Sequence, residues 1–219
     1  MALYTKRGKK VEVTGIKKSP VSKTLKEIYI DFEYAFSLYD NNLKELGIKE
    51  NVTLNEEKYK KEIFPVICKN ALQDALSFIA KVNCTKKQVE DKLSLRKYPY
   101  DAIKKAMDYI GEKGFIDDYE YALSFARMSV KKGKGERYIQ FELSKRGIPE
   151  DMVKEVVSLT CNDECLLPVA QKRLGMILKG REKPDYKDLN KLKENLVRQG
   201  YGYDKISDAL RLITEKYED

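Results

Sequence analysis

The fifteen-residue stretch IQFELSKRGIPEDMV, residues 139–153, decides the fold because it has two further copies in the chain, aligned without gaps. They are VEDKLSLRKYPYDAI at 89–103 and LKENLVRQGYGYDKI at 192–206. Each copy carries apolar residues at the same four positions, and the first two are four residues apart, as on one face of a helix. A proline, or Gly202 in the third copy, follows the third apolar position. Proline suits the first turn of a helix, so a second helix is expected to begin there.

The sequence before each copy extends the repeat by another helix. Residues 75–78 and 122–125 share the sequence ALSF, and Thr85 followed by Gln88 has the spacing of a capping box. Each unit therefore reads as helix, turn, helix, turn, helix, with its apolar positions in the core. Such units bury their apolar faces best against neighbours, which predicts an elongated array of three tandem three-helix repeats at 66–116, 117–160 and 161–219.

Residues 1–65 have a different pattern. Alternating apolar residues at 11–13, 28–30 and 35–38 predict a small antiparallel sheet of two or three strands, with 15–23 and 31–33 as connections. Asp40 and Asn55 are expected to cap two short helices, the first ending at Gly47 and the second before Pro65. The fold class is therefore mostly α, with a small β-containing region at the N-terminus.

Composition limits the possible functions. The 219 residues include 43 lysines and arginines against 35 aspartates and glutamates, a net charge of +8, and no histidine. Histidine-dependent hydrolases and HExxH zinc proteases are thereby excluded, and an anionic partner is favoured. No apolar run reaches the roughly 20 residues of a membrane span, and no signal peptide is evident, so a cytoplasmic protein is expected. The spacing of the four cysteines favours reduced thiols over a zinc site.

Two segments concentrate the positive charge. Residues 86–97 carry five basic and two acidic side chains, and residues 127–146 carry seven and two, for net charges of +3 and +5. The basic residues are Lys86, Lys87, Lys92, Arg96, Lys97, Arg127, Lys131, Lys132, Lys134, Arg137, Lys145 and Arg146. The segments hold corresponding places in repeats one and two, so they could line one face that contacts phosphates, with Tyr98 and Tyr138 offering rings for unstacked bases. The alternative is a pair of solvated helix faces.

Other motifs favour structural roles. Asp117 and Asp118 follow Gly114, where one carboxylate caps a helix and the other favours its dipole, rather than forming a metal or catalytic pair. The glycines at 133 and 135 lack the third glycine of a dinucleotide-binding loop, and no GxxxxGK[ST] motif occurs. The chain is expected to bind no nucleotide cofactor.

The segments GFIDDYEYA at 114–122, FAR at 125–127, KGKGERYI at 132–139 and ELSKRGI at 142–148 resemble the middle repeat of the RecX family. The stretch from Asp31 to Ser37 is similar to the β-containing extension of some members. Two departures are visible: Tyr138 stands where a second basic residue is usual, and one glycine is added to the basic turn at 133–135.

The resemblance implies a non-enzymatic regulator that acts as a monomer on the RecA filament on single-stranded DNA. It would modulate ATP hydrolysis, coprotease activity and strand exchange in recombination, DNA repair and the SOS response, with possible direct DNA contact and no role at a membrane. The residues alone leave open a helical-repeat protein that binds single-stranded nucleic acid without RecA. A hydrolase using carboxylates is the weakest alternative.

Overall fold

The computed structural model describes residues 10–161 and 166–218, which form two compact units, one ending at Ile116 and the other beginning at Asp117. The described residues are mostly helical, with strands only near the N-terminus. The first unit contains β1 Val11–Ser19, β2 Ser22–Ile30, β3 Glu33–Tyr39, α1 Asp40–Glu45, β4 Thr53–Leu54, α2 Glu56–Lys58, a π-helical turn Tyr59–Ile63, α3 Phe64–Ile79, α4 Lys86–Leu95 and α5 Tyr100–Glu112. The second unit contains α6 Asp118–Lys131, α7 Glu136–Lys145, α8 Glu150–Thr160, α9 Leu166–Leu178, α10 Tyr186–Arg198 and α11 Tyr203–Glu218.

The N-terminal sheet has four antiparallel strands in the order β3-β2-β1-β4. The predicted connection at 15–23 is wrong: β1 runs on to Ser19, and only Pro20 and Val21 separate it from β2. Lysines hid this extension, because one face of β1 is exposed to solvent and tolerates them. The two-residue β4 is too short to give an alternating pattern, so the prediction of two or three strands missed it.

The sheet and the first three-helix repeat share one core. Ile28 and Phe36 of the sheet are fully buried, and they belong to the same apolar cluster as Ile67 of α3 and Leu93 of α4. Burial of apolar surface is the main favourable contribution to folding, so the sheet gains its stability from the helices on which it packs. In the second unit, α6–α8 and α9–α11 each enclose a cluster of their own.

Helix boundaries confirm some predictions and correct others. The predicted cap at Asn55 is confirmed, because its side chain accepts a 2.8 Å hydrogen bond from the Lys58 N–H. The cap at Asp40 is wrong: Tyr39 holds that position and makes no side-chain bond, while Asp40 is the first residue of α1. The short helix at 56–63 does not stop before Pro65, since it passes through the π-helical turn into α3. Pro65 is the second residue of α3, directly after the π-helical turn.

The capping box at Thr85 is confirmed, with both of its hydrogen bonds present. Pro99 and Pro149 are N-caps of α5 and α8, one position earlier than expected. At the N-cap the proline ring still fixes φ, at −58° and −57°, so the chain enters each helix in an extended conformation.

The middle helices of the three repeats end in the same way. Lys97, Gly147 and Gly200 all have positive φ, at 58°, 79° and 91°. The next residue, which is Tyr98, Ile148 or Tyr201, donates its N–H to the carbonyl five residues earlier and buries its side chain. This is the Schellman arrangement, with a left-handed residue followed by an apolar contact. It explains why the repeated stretch has a glycine or lysine before its third apolar position. The division into segments at 1–65, 66–116, 117–160 and 161–219 stays a prediction.

Candidate functional site

Arg96, a predicted binding residue, lies in a largely buried polar cluster of the first unit. Its guanidinium is 2.5 Å from the Asp74 carboxylate and donates a 2.6 Å hydrogen bond to the Tyr39 hydroxyl. The hydroxyls of Tyr39 and Tyr98 donate to the same carboxylate at 2.6 and 2.7 Å. The side chains of Arg96 and Asp74 are only 21% and 12% exposed, so the charge of Arg96 is used within the protein.

Tyr98 cannot serve as a platform for base stacking, because it is 5% exposed. Burial, followed by the hydrogen bond to Asp74, holds the pKa of its hydroxyl far above the ordinary value. The sequence-based role for Tyr98 was therefore wrong: the aromatic ring at the third apolar position of the repeat belongs to the core.

Lys97 also binds within the first unit. Its ammonium lies 2.9 Å from the carboxylate of Glu27 on β2, which is 5% exposed, and 5.1 Å from the centre of the Tyr34 ring. The hydroxyl of Tyr34 donates a hydrogen bond to the carbonyl of Lys97. Arg96 and Lys97 thus connect the N-terminal sheet and α3 to the end of α4, which gives both cations a structural role.

The three remaining cations of the first segment lie on α4. Lys87 is exposed and forms a 3.2 Å ion pair with Asp91 one turn later. Lys92 is half-buried, with its ammonium 5.8 Å from the centre of the Phe78 ring. Lys86 is exposed. Exposed pairs one helical turn apart contribute little stability, so Lys87 remains able to bind another anion.

The basic segment of the second repeat is more accessible. Four of its cations are exposed and form no ion pair with any described residue: Arg127, Lys131, Lys132 and Lys145. Lys134 is half-buried, with its ammonium 4.4 Å from the centre of the Tyr138 ring. We call these five residues, together with Arg137 and Phe141, the α6–α7 basic surface.

Phe141 is the member of this surface that was not among the residues predicted from the sequence. Its side chain is 65% exposed, and on α7 it lies four residues after Arg137 and four before Lys145, both of which are exposed. Residues four apart share one face of a helix, so α7 presents cation, aromatic ring and cation in a row. An aromatic ring between cations is the composition that binds single-stranded nucleic acid, where bases stack and phosphates need neutralising.

Arg146, at the end of α7, has partners of its own. Its guanidinium is 2.5 Å from the Glu142 carboxylate and 4.5 Å from the centre of the Phe125 ring. Phe125 in turn stacks on Tyr121, with ring centres 6.5 Å apart and planes at 8°. The Arg146 side chain is 23% exposed, so Arg146 mainly packs α6 against α7 and presents little charge to solvent.

The turn between α6 and α7 is held by the third repeat. Gly135 donates its N–H to the Gln199 carbonyl at 2.9 Å, and Lys205 forms a 2.9 Å ion pair with Glu136. A Cβ on Gly135 would lie 2.5 Å from the carbonyl carbon of Gly200. A glycine at 135 is therefore required by a close approach of two backbones. Arg137 extends over the ring of Tyr203, with 5.7 Å between the guanidinium carbon and the ring centre.

The acidic pair at 117–118 serves as expected. Asp117 is the N-cap of α6, and its carboxylate accepts hydrogen bonds of 2.9 and 3.0 Å from the N–H groups of Tyr119 and Glu120. Within residues 10–161 and 166–218, no three His, Cys, Asp or Glu residues are grouped to hold a metal ion. No disulfide joins Cys68, Cys84 and Cys161 to one another, and Cys165 lies outside the described residues.

Comparison with known proteins agrees with the resemblance. The family described as "RecX, second three-helix domain" matches residues 117–157, which include the α6–α7 basic surface. A curated protein of Clostridium botulinum (strain Eklund 17B / Type B), named "Regulatory protein RecX", is 35% identical over 90% of this chain and 94% of its own length. The chain belongs to the RecX family. A second RecX regulatory protein, from Clostridium botulinum (strain Alaska E43 / Type E3), is 34% identical with the same coverage.

A solved structure of a RecX protein has a fold similar to that of this chain. "Crystal structure of regulatory protein RecX" superposes with a TM-score of 0.59 over 90% of this chain and 99% of that chain, at 21% identity. Among the described helices of this RecX protein, none is long and apolar enough to cross a membrane. The two basic segments lie in different units, so their alignment on one face stays a prediction.

Proposed function

We propose that this RecX protein binds the RecA filament on single-stranded DNA through the α6–α7 basic surface and inhibits ATP hydrolysis, coprotease activity and strand exchange. The observation that carries the proposal is that Arg127, Lys131, Lys132 and Lys145 are exposed and form no ion pair with any residue that the structure describes. The protein would act in the cytoplasm as a monomer, without catalysis or a cofactor, in recombination, DNA repair and the SOS response.

Electrostatics supports an anionic partner for this surface. The four exposed cations that lack an ion pair in the described part of the chain repel one another, and an anionic partner would relieve that repulsion. Each cation that reaches a phosphate releases condensed counterions, so binding would weaken steeply as salt rises. Carboxylates on the RecA protein could meet the same cations, and Phe141 would then bury its ring against the partner.

The test compares charge reversals at two places in the second unit. The first variant carries Lys131→Glu, Lys132→Glu and Lys145→Glu. The control carries Lys172→Glu, Lys187→Glu and Lys193→Glu, which change the net charge equally at lysines that are also exposed and form no ion pair within the described ranges. The DNA-dependent ATPase of RecA and its filament length are measured with substoichiometric amounts of each protein.

Loss of inhibition in the first variant alone is the expected result. Equal inhibition by both variants would move the contact away from the α6–α7 basic surface. If the unaltered protein changes neither the ATPase rate nor the filament length at any ratio, the proposed regulation is wrong.

A second candidate is binding of single-stranded nucleic acid without RecA, which the row Arg137, Phe141 and Lys145 favours. It predicts tight binding to a bare oligonucleotide, a steep dependence on salt, and loss of affinity in Phe141→Ala by roughly 1–3 kcal/mol per stacked base. Weak binding to bare strands at physiological salt would exclude it and leave the filament as the partner.

A further inference from the structure

The turn between β2 and β3 presents an aromatic ring to solvent. Phe32 is 87% exposed, the highest value among the large apolar side chains of the described residues. It occupies the tip of a two-residue turn in which Asp31 and Phe32 both have positive φ, 49° and 67°. Such turns favour Asn-Gly, because a side chain at positive φ is strained. A phenylalanine here is unfavourable both for its backbone and for its hydration.

The backbone that carries the ring is held in a fixed position. The N–H of Phe32 donates a 2.8 Å hydrogen bond to the hydroxyl of Thr14 on β1, and the N–H of Asp31 donates to the Glu12 carbonyl at 3.3 Å. Ile30 pairs with Glu33 directly below the turn. Three strands hold the tip. A partner can therefore bury the apolar surface of the ring without the entropic cost of ordering a loop.

The charge around the ring selects the partner. Glu12 on the neighbouring strand and Glu33, the residue after Phe32, are exposed and form no ion pair with any described residue. Carboxylates repel phosphates, so this tip is unsuited to nucleic acid, in contrast to the α6–α7 basic surface. A protein surface with an apolar pocket bordered by lysine or arginine satisfies both the ring and the carboxylates.

We propose that the hairpin tip at Phe32 is a second contact site, which inserts its ring into an apolar pocket with a basic border on the protein component of the filament. The inference rests on the proposed function, since that component is its partner. The two contacts would bind different groups: cations of the second unit bind anionic groups, and the hairpin tip of the first unit binds protein only.

The test uses the full chain with Phe32→Asn, because asparagine tolerates positive φ and lacks the apolar ring. Tyr100→Asn, at another exposed aromatic of the first unit that is 77% exposed, is the control. Affinity is measured for the RecA filament on single-stranded DNA and for the bare oligonucleotide. Burial of one phenylalanine corresponds to roughly 10- to 100-fold in affinity, so the filament affinity of Phe32→Asn is expected to fall by that factor. Its oligonucleotide affinity and its melting temperature should not fall.

Each of the other possible results contradicts a specific part of the proposal. Unchanged filament affinity in Phe32→Asn, with normal binding of the unaltered protein, rejects the hairpin contact and leaves the proposed function standing. An equal loss for filament and oligonucleotide shows that the ring meets DNA, against the proposal. If the unaltered protein fails to bind the filament, both proposals are wrong. Glu33→Lys gives an independent check, since it should weaken filament binding while leaving oligonucleotide binding equal or stronger.

Discussion

The backbone N–H of Arg137 donates a 3.0 Å hydrogen bond to the carbonyl oxygen of Gly200, so the start of α7 is bonded directly to the turn that ends α10. At Gly200 the chain has φ of 91°, and a Cβ there would lie 2.6 Å from the Cβ of Tyr138 and closer still to its nitrogen. Two main chains therefore meet without intervening side chains. This contact fixes the basic turn of the second repeat against the third, and it determines how α7 is presented.

Gly200→Ala should destabilise the second unit strongly, because it adds a clash with Tyr138 to the strain of a positive φ. Gly180 is the matched control: its φ is 94°, and a Cβ there meets nothing within 4 Å. We expect Gly180→Ala to cost about 1 kcal/mol from backbone strain alone. Gly200→Ala should cost roughly 1–3 kcal/mol more, since backbone must shift. Hydrogen exchange of the α7 amides is measured for both variants. Equal protection of these amides in the two variants would contradict the close contact.

Asp74→Ala should be among the most destabilising single changes in the first unit. It leaves the Arg96 guanidinium and the hydroxyls of Tyr39 and Tyr98 without their shared acceptor. Removing one partner of a buried ion pair costs about 3–5 kcal/mol. Asp108→Ala, at an exposed α5 carboxylate with no ion pair to a described residue, should change the free energy of unfolding by less than about 0.5 kcal/mol. Urea unfolding followed by circular dichroism compares the two.

The stability of the first unit should fall in alkaline solution. Burial raises the pKa of Tyr34 from its ordinary 10.0 to about 12, and burial with the Asp74 hydrogen bond raises those of Tyr39 and Tyr98. The folded protein holds these protons more tightly than the unfolded chain, so this stabilisation is complete below pH 10. It is lost as the pH rises through 12 for Tyr34. Tyrosinate absorbance should show that these three hydroxyls ionise last, as the protein unfolds. Ionisation of all 15 tyrosines near pH 10 in the folded protein would contradict the expected order.

The repeated stretch predicted the helices well because its signals are local. The apolar spacing and the capping box at Thr85 each act within one or two helical turns, and both appear in the structure. The partners of Arg96 and Lys97 could not be predicted in this way. Asp74 and Glu27 lie 22 and 70 residues away, and only the packing of the sheet and α3 against α4 brings them together.

Phe141 could have been found from the sequence. In the aligned copies its position holds Asp91 and Glu194, and charged residues at the same repeat position indicate a solvent-facing site. An apolar residue at a position that is otherwise acidic therefore suggests an exposed ring. The α6–α7 basic surface thus combines cations that composition reveals with a ring that only comparison between the repeats reveals.

Lys97 provides the last prediction, because it separates a structural cation from a binding one. It lies beside Glu27, whose second carboxylate oxygen is buried and has no hydrogen-bond partner among the described residues. Loss of the ammonium would leave a buried carboxylate without a counter-charge. The same cation is at a position where the other two repeats have glycine.

Lys97→Met should lower the free energy of unfolding by about 1–3 kcal/mol, because the Glu27 carboxylate loses its charged hydrogen bond. Adding Glu27→Gln should recover most of that loss, since a neutral amide needs no counter-ion. Lys104→Met, at an exposed α5 lysine with no ion pair to a described residue, should change little. Urea unfolding and RecA ATPase inhibition are measured for all three variants. If Lys97→Met abolishes inhibition at full stability, and Glu27→Gln restores nothing, Lys97 contacts the filament rather than the sheet.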